Sequence, residues 1–196
     1  MEIAENKLGE KPIDVPTVDI RKHIYDFITK TIFEEVTGNV LEVGPMVYEF
    51  VPIKCFYVNT QETIEQKGCV YTSIDPYEKA DVDYNIGIEE AYKAFNLEEF
   101  DTVLILDVIE HVKRAFEVPE ILAYLIKPEG RLYLSTPFYF RLHQPFPDFW
   151  RFSEMGLRAM FEKDFYNIKF DTIYYDCSTV KPQPLHYNMT ATRKDN

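Results

Sequence analysis

Asp107, Glu110 and His111 stand at i, i+3 and i+4 in the stretch DVIEHV. On a helical turn that spacing brings three polar side chains to one side. Two carboxylates and an imidazole gathered there have two chemical uses. A neutral imidazole near pH 7 takes the proton from a hydroxyl that is becoming a nucleophile. The same trio offers ligands to a divalent cation that would orient a substrate oxygen. His111 and His143 are the candidate general bases, and a metal on Asp107, Glu110 and His111 is the less favoured option.

A second set of residues lies at the ends of apolar runs. NVLEVG (39–44), CVYTSID (69–75) and FDTVLILD (100–107) are short and β-branched, and each carries an acid at or near its end: Glu42, Asp75 and Asp107. In an open parallel sheet, ligands sit beyond the carboxyl ends of the strands, near the point where strand order reverses. Asp75 is placed to accept hydrogen bonds from both hydroxyls of a ribose. Gly44 would let the backbone approach a ligand closely. The loop Gly44-Pro45-Met46 lacks the second glycine of a phosphate-cradling loop, so a plain turn after a core strand is the rival reading of it.

The elements that must hold these residues read as alternating helices and strands. From Val18 to Val36, Ile20, Ile24, Phe27, Ile28, Ile32, Phe33 and Val36 recur at three- and four-residue steps, the apolar face of a helix that Gly38 ends. DVDYN (81–85) is a candidate third strand. Residues 108–125 carry a helical pattern, KPEG (127–130) reads as a turn, and RLYLSTP (131–137) as a strand. Ser153 caps a helix over 153–164, and FYNIKFDTIYYD with HYNMTATRK form a terminal strand pair. Strands that are continuously apolar are buried on both faces. The expectation is an α/β fold with helices on both faces of a largely parallel sheet. Residues 1–17 read as a flexible lead-in and 18–196 as one domain. Two regions resist the scheme: no helix is evident between Met46 and Gly68, and YFRLHQPFPDFW (139–150) reads as a structured lid or site wall.

Composition sets limits. The 196 residues carry a formal net charge of −12 and are 46% hydrophobic and 15% aromatic. Such a surface disfavours extended nucleic-acid binding, and disorder is not expected. Cys55, Cys69 and Cys177 have no metal-type spacing, no apolar run reaches the length of a membrane span, and no leader is evident. The reading is a cytoplasmic chain with a small-molecule partner, of unassigned oligomeric state.

LEVGPM, the acid Asp75, DVIEHV, KPEG and STPF (135–138), in that order, resemble the small class I S-adenosylmethionine-dependent methyltransferases over about residues 38–165. His143, Pro145 or Pro147, Asp148 and Arg151 resemble a further segment found in many members before the last helix. The resemblance implies a Rossmann-like, seven-stranded, mostly parallel sheet whose last strand is antiparallel. It implies S-adenosylmethionine as cofactor and methyl transfer to a small acceptor, with a sugar-like or other hydroxyl oxygen favoured. Cofactor contacts would come from Glu42, Gly44, Pro45, Asp75, Pro76 and Asp107. Asp83, or else Asn85, would receive the adenine amino group, with Tyr84 beside the ring. Two branches of the family hold a metal at a comparable Glu-x-x-Glu-His cluster, one of them methylating the 2′-oxygen of RNA ends; in that branch a later histidine joins the cluster, and the resemblance would give His143 that place beside Asp107, Glu110 and His111. Here the first position is aspartate. A non-catalytic binding protein on the same scaffold, and a nicotinamide oxidoreductase, are the alternatives; the second is disfavoured by the absence of GxGxxG.

Overall fold

A computed structural model describes residues 17–45, 59–78, 80–142, 147–175 and 182–195. The apolar stripe of the first helix is laid down as α1 (Thr17–Phe27), a π turn over Ile28–Ile32 and a short α2 (Phe33–Glu35). All seven stripe residues are buried, each worth about 1.5–3 kcal/mol of transfer free energy. They pack on one sheet face with Val40, Leu104, Tyr133 and Leu185.

The strands are β1 (Asn39–Val43), β2 (Val70–Ile74), β3 (Phe100–Leu106), β4 (Ile126–Pro137), β5 (Phe165–Tyr175) and β6 (Gln183–Arg193). They form one sheet in the order β2-β1-β3-β4-β6-β5. β1 pairs in parallel with β2 and β3, and β3 with β4. β6, the last strand in the chain, runs antiparallel to both β4 and β5. On the opposite face from α1, Leu41, Val43, Val103, Ile105, Leu132 and Leu134 meet α4 (Val118–Leu125) and α5 (Glu154–Phe161). Side chains alternate between these two cores along each strand, as the pleat requires.

The sheet has six strands among the described residues, where seven were expected. DVDYN contributes one parallel bridge, Ile74 to Tyr84. Its Asp83 carboxylate accepts from the Ser73 backbone N–H at 2.8 Å and from Ser73 Oγ at 2.9 Å, so a side chain takes a place that a ladder partner would hold.

Other elements also depart from expectation. The helix not foreseen between Met46 and Gly68 is α3 (Thr60–Gln66), capped by Asn59, whose side chain accepts from Glu62 N at 3.0 Å. KPEG belongs to β4 rather than to a turn. Ile126 pairs with Phe100, a register shift follows, Glu129 takes a positive φ of 64°, and Lys127 reaches Asp101 at 2.8 Å. Residues 108–125 begin as two 3-10 turns, Ile109–His111 and Ala115–Glu117, before α4. The Ser153 cap is present, accepting from Gly156 N at 3.1 Å. No helix among the described residues is long and apolar enough to cross a membrane.

Candidate functional site

β2 lies to one side of β1 and β3 to the other, so strand order reverses between β1 and β3. The crevice beyond their carboxyl ends is the place where an open α/β sheet takes a ligand. Gly44 forms one lip. Its N–H donates to the Ile74 carbonyl at 2.8 Å, and its φ of 66° lies in the left-handed region. A Cβ there would stand 2.5 Å from Val108 Cγ2, so the loops after β1 and β3 meet at this glycine.

Glu42 and Tyr71 are neighbours on the α1 side of the sheet. Glu42 is 4% exposed, and Tyr71 donates its hydroxyl to Glu42 Oε2 at 2.6 Å. Burial pushes the Glu42 carboxyl up to about 7 against the opposing pull of that bond. The pair opens on a small cleft lined also by Pro45, Asn59, Thr60, Ser73 and Asp81.

Asp75 follows β2 at the same rim, half-buried. Its Oδ1 accepts from Tyr77 N at 2.7 Å, and burial raises its carboxyl above the ordinary range. Among the described residues no donor reaches Oδ2, so an oxygen remains for a ligand hydroxyl. Pro76 is exposed beside it. Tyr84 is 45% exposed and stands edge-on to Phe95, with centroids 5.1 Å apart. Asn85 donates to the Tyr77 carbonyl at 3.2 Å. Asp83 is spent on Ser73, and that disfavours it as a direct adenine contact. Tyr84 retains an open ring edge.

Asp107 has a left-handed backbone, φ 53°, unusual for a residue with a Cβ but tolerated by aspartate. Its Oδ1 accepts from Ser135 Oγ at 2.8 Å and from His186 Nε2 at 2.7 Å. Glu110 is fully buried, and its Oε2 accepts from Thr136 Oγ1 at 3.2 Å. Burial first, then the nearby Asp107 charge, raise its carboxyl well above the usual range. Ser135 and Thr136 are successive residues of β4 and point to opposite faces. Asp107 and Glu110 thereby take donors from opposite faces of the sheet.

His111 lies on the 3-10 turn with Nδ1 2.7 Å from the Pro147 carbonyl and Nε2 3.7 Å from Glu110 Oε1. A carbonyl only accepts, so Nδ1 carries the proton in the neutral ring and Nε2 keeps a lone pair. The turn is 3-10 rather than α-helical, and His111 stays beside Glu110 while the Asp107 carboxylate turns to Ser135 and His186. No group of three or more acid, histidine or cysteine side chains suited to a metal exists among the described residues. His143, with Pro145, lies outside the described residues.

Of the stretch 139–150, residues 147–150 are held against the turn that follows β3. Phe149 N and Trp150 N both donate to the Glu110 carbonyl, at 2.8 and 3.2 Å, and Trp150 Nε1 donates to the Val112 carbonyl at 3.0 Å. Arg151 pairs with Asp148 and donates to the carbonyls of Trp150 and Arg141. His186 was not singled out from sequence. It sits in HYNMTATR, which reads as an ordinary strand, and only the β4–β6 pairing that sets His186 opposite Pro137 brings it to Asp107.

No protein-family model and no curated protein sequence matches the chain. Solved structures do. A SAM-dependent methyltransferase from Archaeoglobus fulgidus superposes with a TM-score of 0.64 at 16% identity, over 88% of this chain and 94% of that one. A putative methyltransferase in complex with the Haloferax volcanii Trm112 activator gives a TM-score of 0.64 at 12% identity, over 91% and 93%. The 1,6-didemethyltoxoflavin-N1-methyltransferase of Burkholderia thailandensis, with bound S-adenosylhomocysteine, gives 0.55 at 14% identity, over 95% and 93%. With β6 antiparallel between β4 and β5 and the crevice at the β1–β3 reversal, the chain has the Rossmann-like fold of the class I S-adenosylmethionine-dependent methyltransferases.

Proposed function

We propose that the protein transfers a methyl group from S-adenosylmethionine to a hydroxyl oxygen of a small, sugar-like acceptor. The observation that carries this reading is that Gly44 and Asp75 stand at the carboxyl ends of the adjacent strands β1 and β2, linked by the Gly44 N–H bond to the Ile74 carbonyl, beside the strand-reversal crevice. Asp75 Oδ2 would accept from the ribose diol. Gly44 and Pro45 would lie against the amino acid end, whose ammonium suits Glu42. Tyr84 would flank the adenine. The bound cofactor supplies a methyl carbon activated by a positively charged sulfur.

The chain's own part is positioning, exclusion of water and proton removal. The wall 147–152 closes one side of the site, pinned through His111 and Glu110. The cofactor's methyl group would be the electrophile for the acceptor oxygen, with the neutral thioether as the leaving group. The hydroxyl proton passes to a base, for which His111 Nε2 is the candidate with a lone pair. The net charge of −12 suits a neutral or cationic acceptor better than a polyanion.

The test is calorimetric titration with S-adenosylmethionine, followed by radiolabelled methyl transfer to a panel of hydroxyl and amine compounds. One-to-one binding and label on oxygen are expected. Absence of binding would leave a scaffold protein without cofactor; label on nitrogen would overturn the choice of oxygen.

A further inference from the structure

We propose that His186 is a positioning residue: its Nε2–H fixes the Asp107 carboxylate so that the crevice favours the positively charged methyl donor over its neutral spent product. The inference rests on the reading of the crevice as a cofactor site.

Three observations converge on it. Asp107 is held in a left-handed backbone conformation, with its N–H on the Ser135 carbonyl at 3.0 Å. One carboxylate oxygen, Oδ1, takes two side-chain donors, Ser135 Oγ and His186 Nε2. The Asp107 side chain is 29% exposed while that of His186 is 0% exposed. The carboxylate therefore sits partly exposed immediately after β3, at the edge of the crevice, with two buried donors on Oδ1.

His186 itself is otherwise poorly served by its place. Its Nδ1 is buried with no hydrogen-bond partner among the described residues, and its nearest ring neighbour, His23, stands edge-on at 5.9 Å. A buried polar atom left unmatched is a cost. An apolar side chain would fill the same position without it. The hydrogen bond to Asp107 is the interaction that rewards an imidazole there. Strained backbones held by surrounding structure cluster where a group must be presented in one orientation.

Donor and product share adenine, ribose and amino acid end, and differ by the methyl group and the charge at sulfur. Their affinity ratio therefore isolates what a fixed negative charge contributes at that point. A histidine that only supported the fold would change both affinities together.

The experiment is calorimetric titration of the full chain with S-adenosylmethionine and, separately, S-adenosylhomocysteine. In His186→Phe the preference for the donor should fall about fivefold relative to wild type, with product affinity little changed. Asp107→Asn should lose the preference to the same extent, and the double variant should lose no more than either single one. His186→Gln, which keeps an N–H donor, should retain it. Equal weakening of both ligands in His186→Phe, or an unchanged ratio, overturns the proposal. Should His186→Phe not fold, ¹⁵N NMR of the wild-type imidazole decides: Nε2 should be protonated and should respond more to donor than to product, and equal responses overturn it. Failure of wild type to bind either ligand would instead remove the cofactor reading itself.

Discussion

Glu42 gives the sharpest test of how burial sets chemistry at the β1 edge. Its carboxyl is 4% exposed and is pushed up to about 7 from an ordinary 4.5. The folded state thus holds this proton more tightly than the unfolded chain. The stability linked to it is fully present below the unfolded value and is lost as pH rises through 7. At pH 8 the ionised carboxylate costs the fold about 3 kcal/mol, and at pH 5 about 0.8 kcal/mol. Glu42→Gln keeps the shape and an oxygen for Tyr71 but removes the titration. Urea unfolding at pH 5 and pH 8 should show wild type losing about 2.5 kcal/mol more than the variant across that interval. The melting-temperature counterpart is about 5–10 °C. The same loss of stability in both proteins would refute the argument that desolvation outweighs the Tyr71 bond.

Other perturbations have equally definite outcomes. Gly44→Ala should destabilise by about 1–2 kcal/mol from the left-handed backbone alone, with overlap against Val108 added; Val108→Ala in the same chain should recover the overlap part in thermal melts. Glu110→Gln should leave stability at pH 7 within about 1 kcal/mol of wild type, since it keeps the shape and an oxygen for Thr136 without a buried charge, whereas Glu110→Ala leaves Thr136 without its acceptor and should cost about 2–3 kcal/mol by urea titration. Ser153→Ala removes the acceptor for Gly156 N and should lower stability by about 1 kcal/mol, a shift of about 2–4 °C.

What the sequence disclosed follows the range of each signal. The amphipathic stripe of the first helix and the β-branched strands could be read because local pattern and tertiary burial agree. Asp75 and Gly44 could be placed because strand ends and glycine turns are local features. The α3 helix was missed although Asn59-x-x-Glu62 carries a capping signal, because seven residues give little periodicity to detect. KPEG misled because proline and glycine usually mark turns, and here they mark a register shift inside β4. The seventh strand shrank to a bridge because Asp83 bonds Ser73, a contact set by one side chain rather than by a pattern. The partnership of Asp107 with His186 spans 79 positions and depends on strand order, which no local window contains. Asp107 and Glu110 take different donors for a related reason: β4 offers Ser135 and Thr136 on opposite faces, and each acid follows its own.

The most direct measurement of the account is the affinity of S-adenosylhomocysteine for wild type and for Asp75→Ala. The account predicts one-to-one binding to wild type, weakened about ten- to a hundredfold when the carboxylate that would hold the ribose diol is removed. Binding of equal strength in Asp75→Ala, or none in wild type, would contradict it.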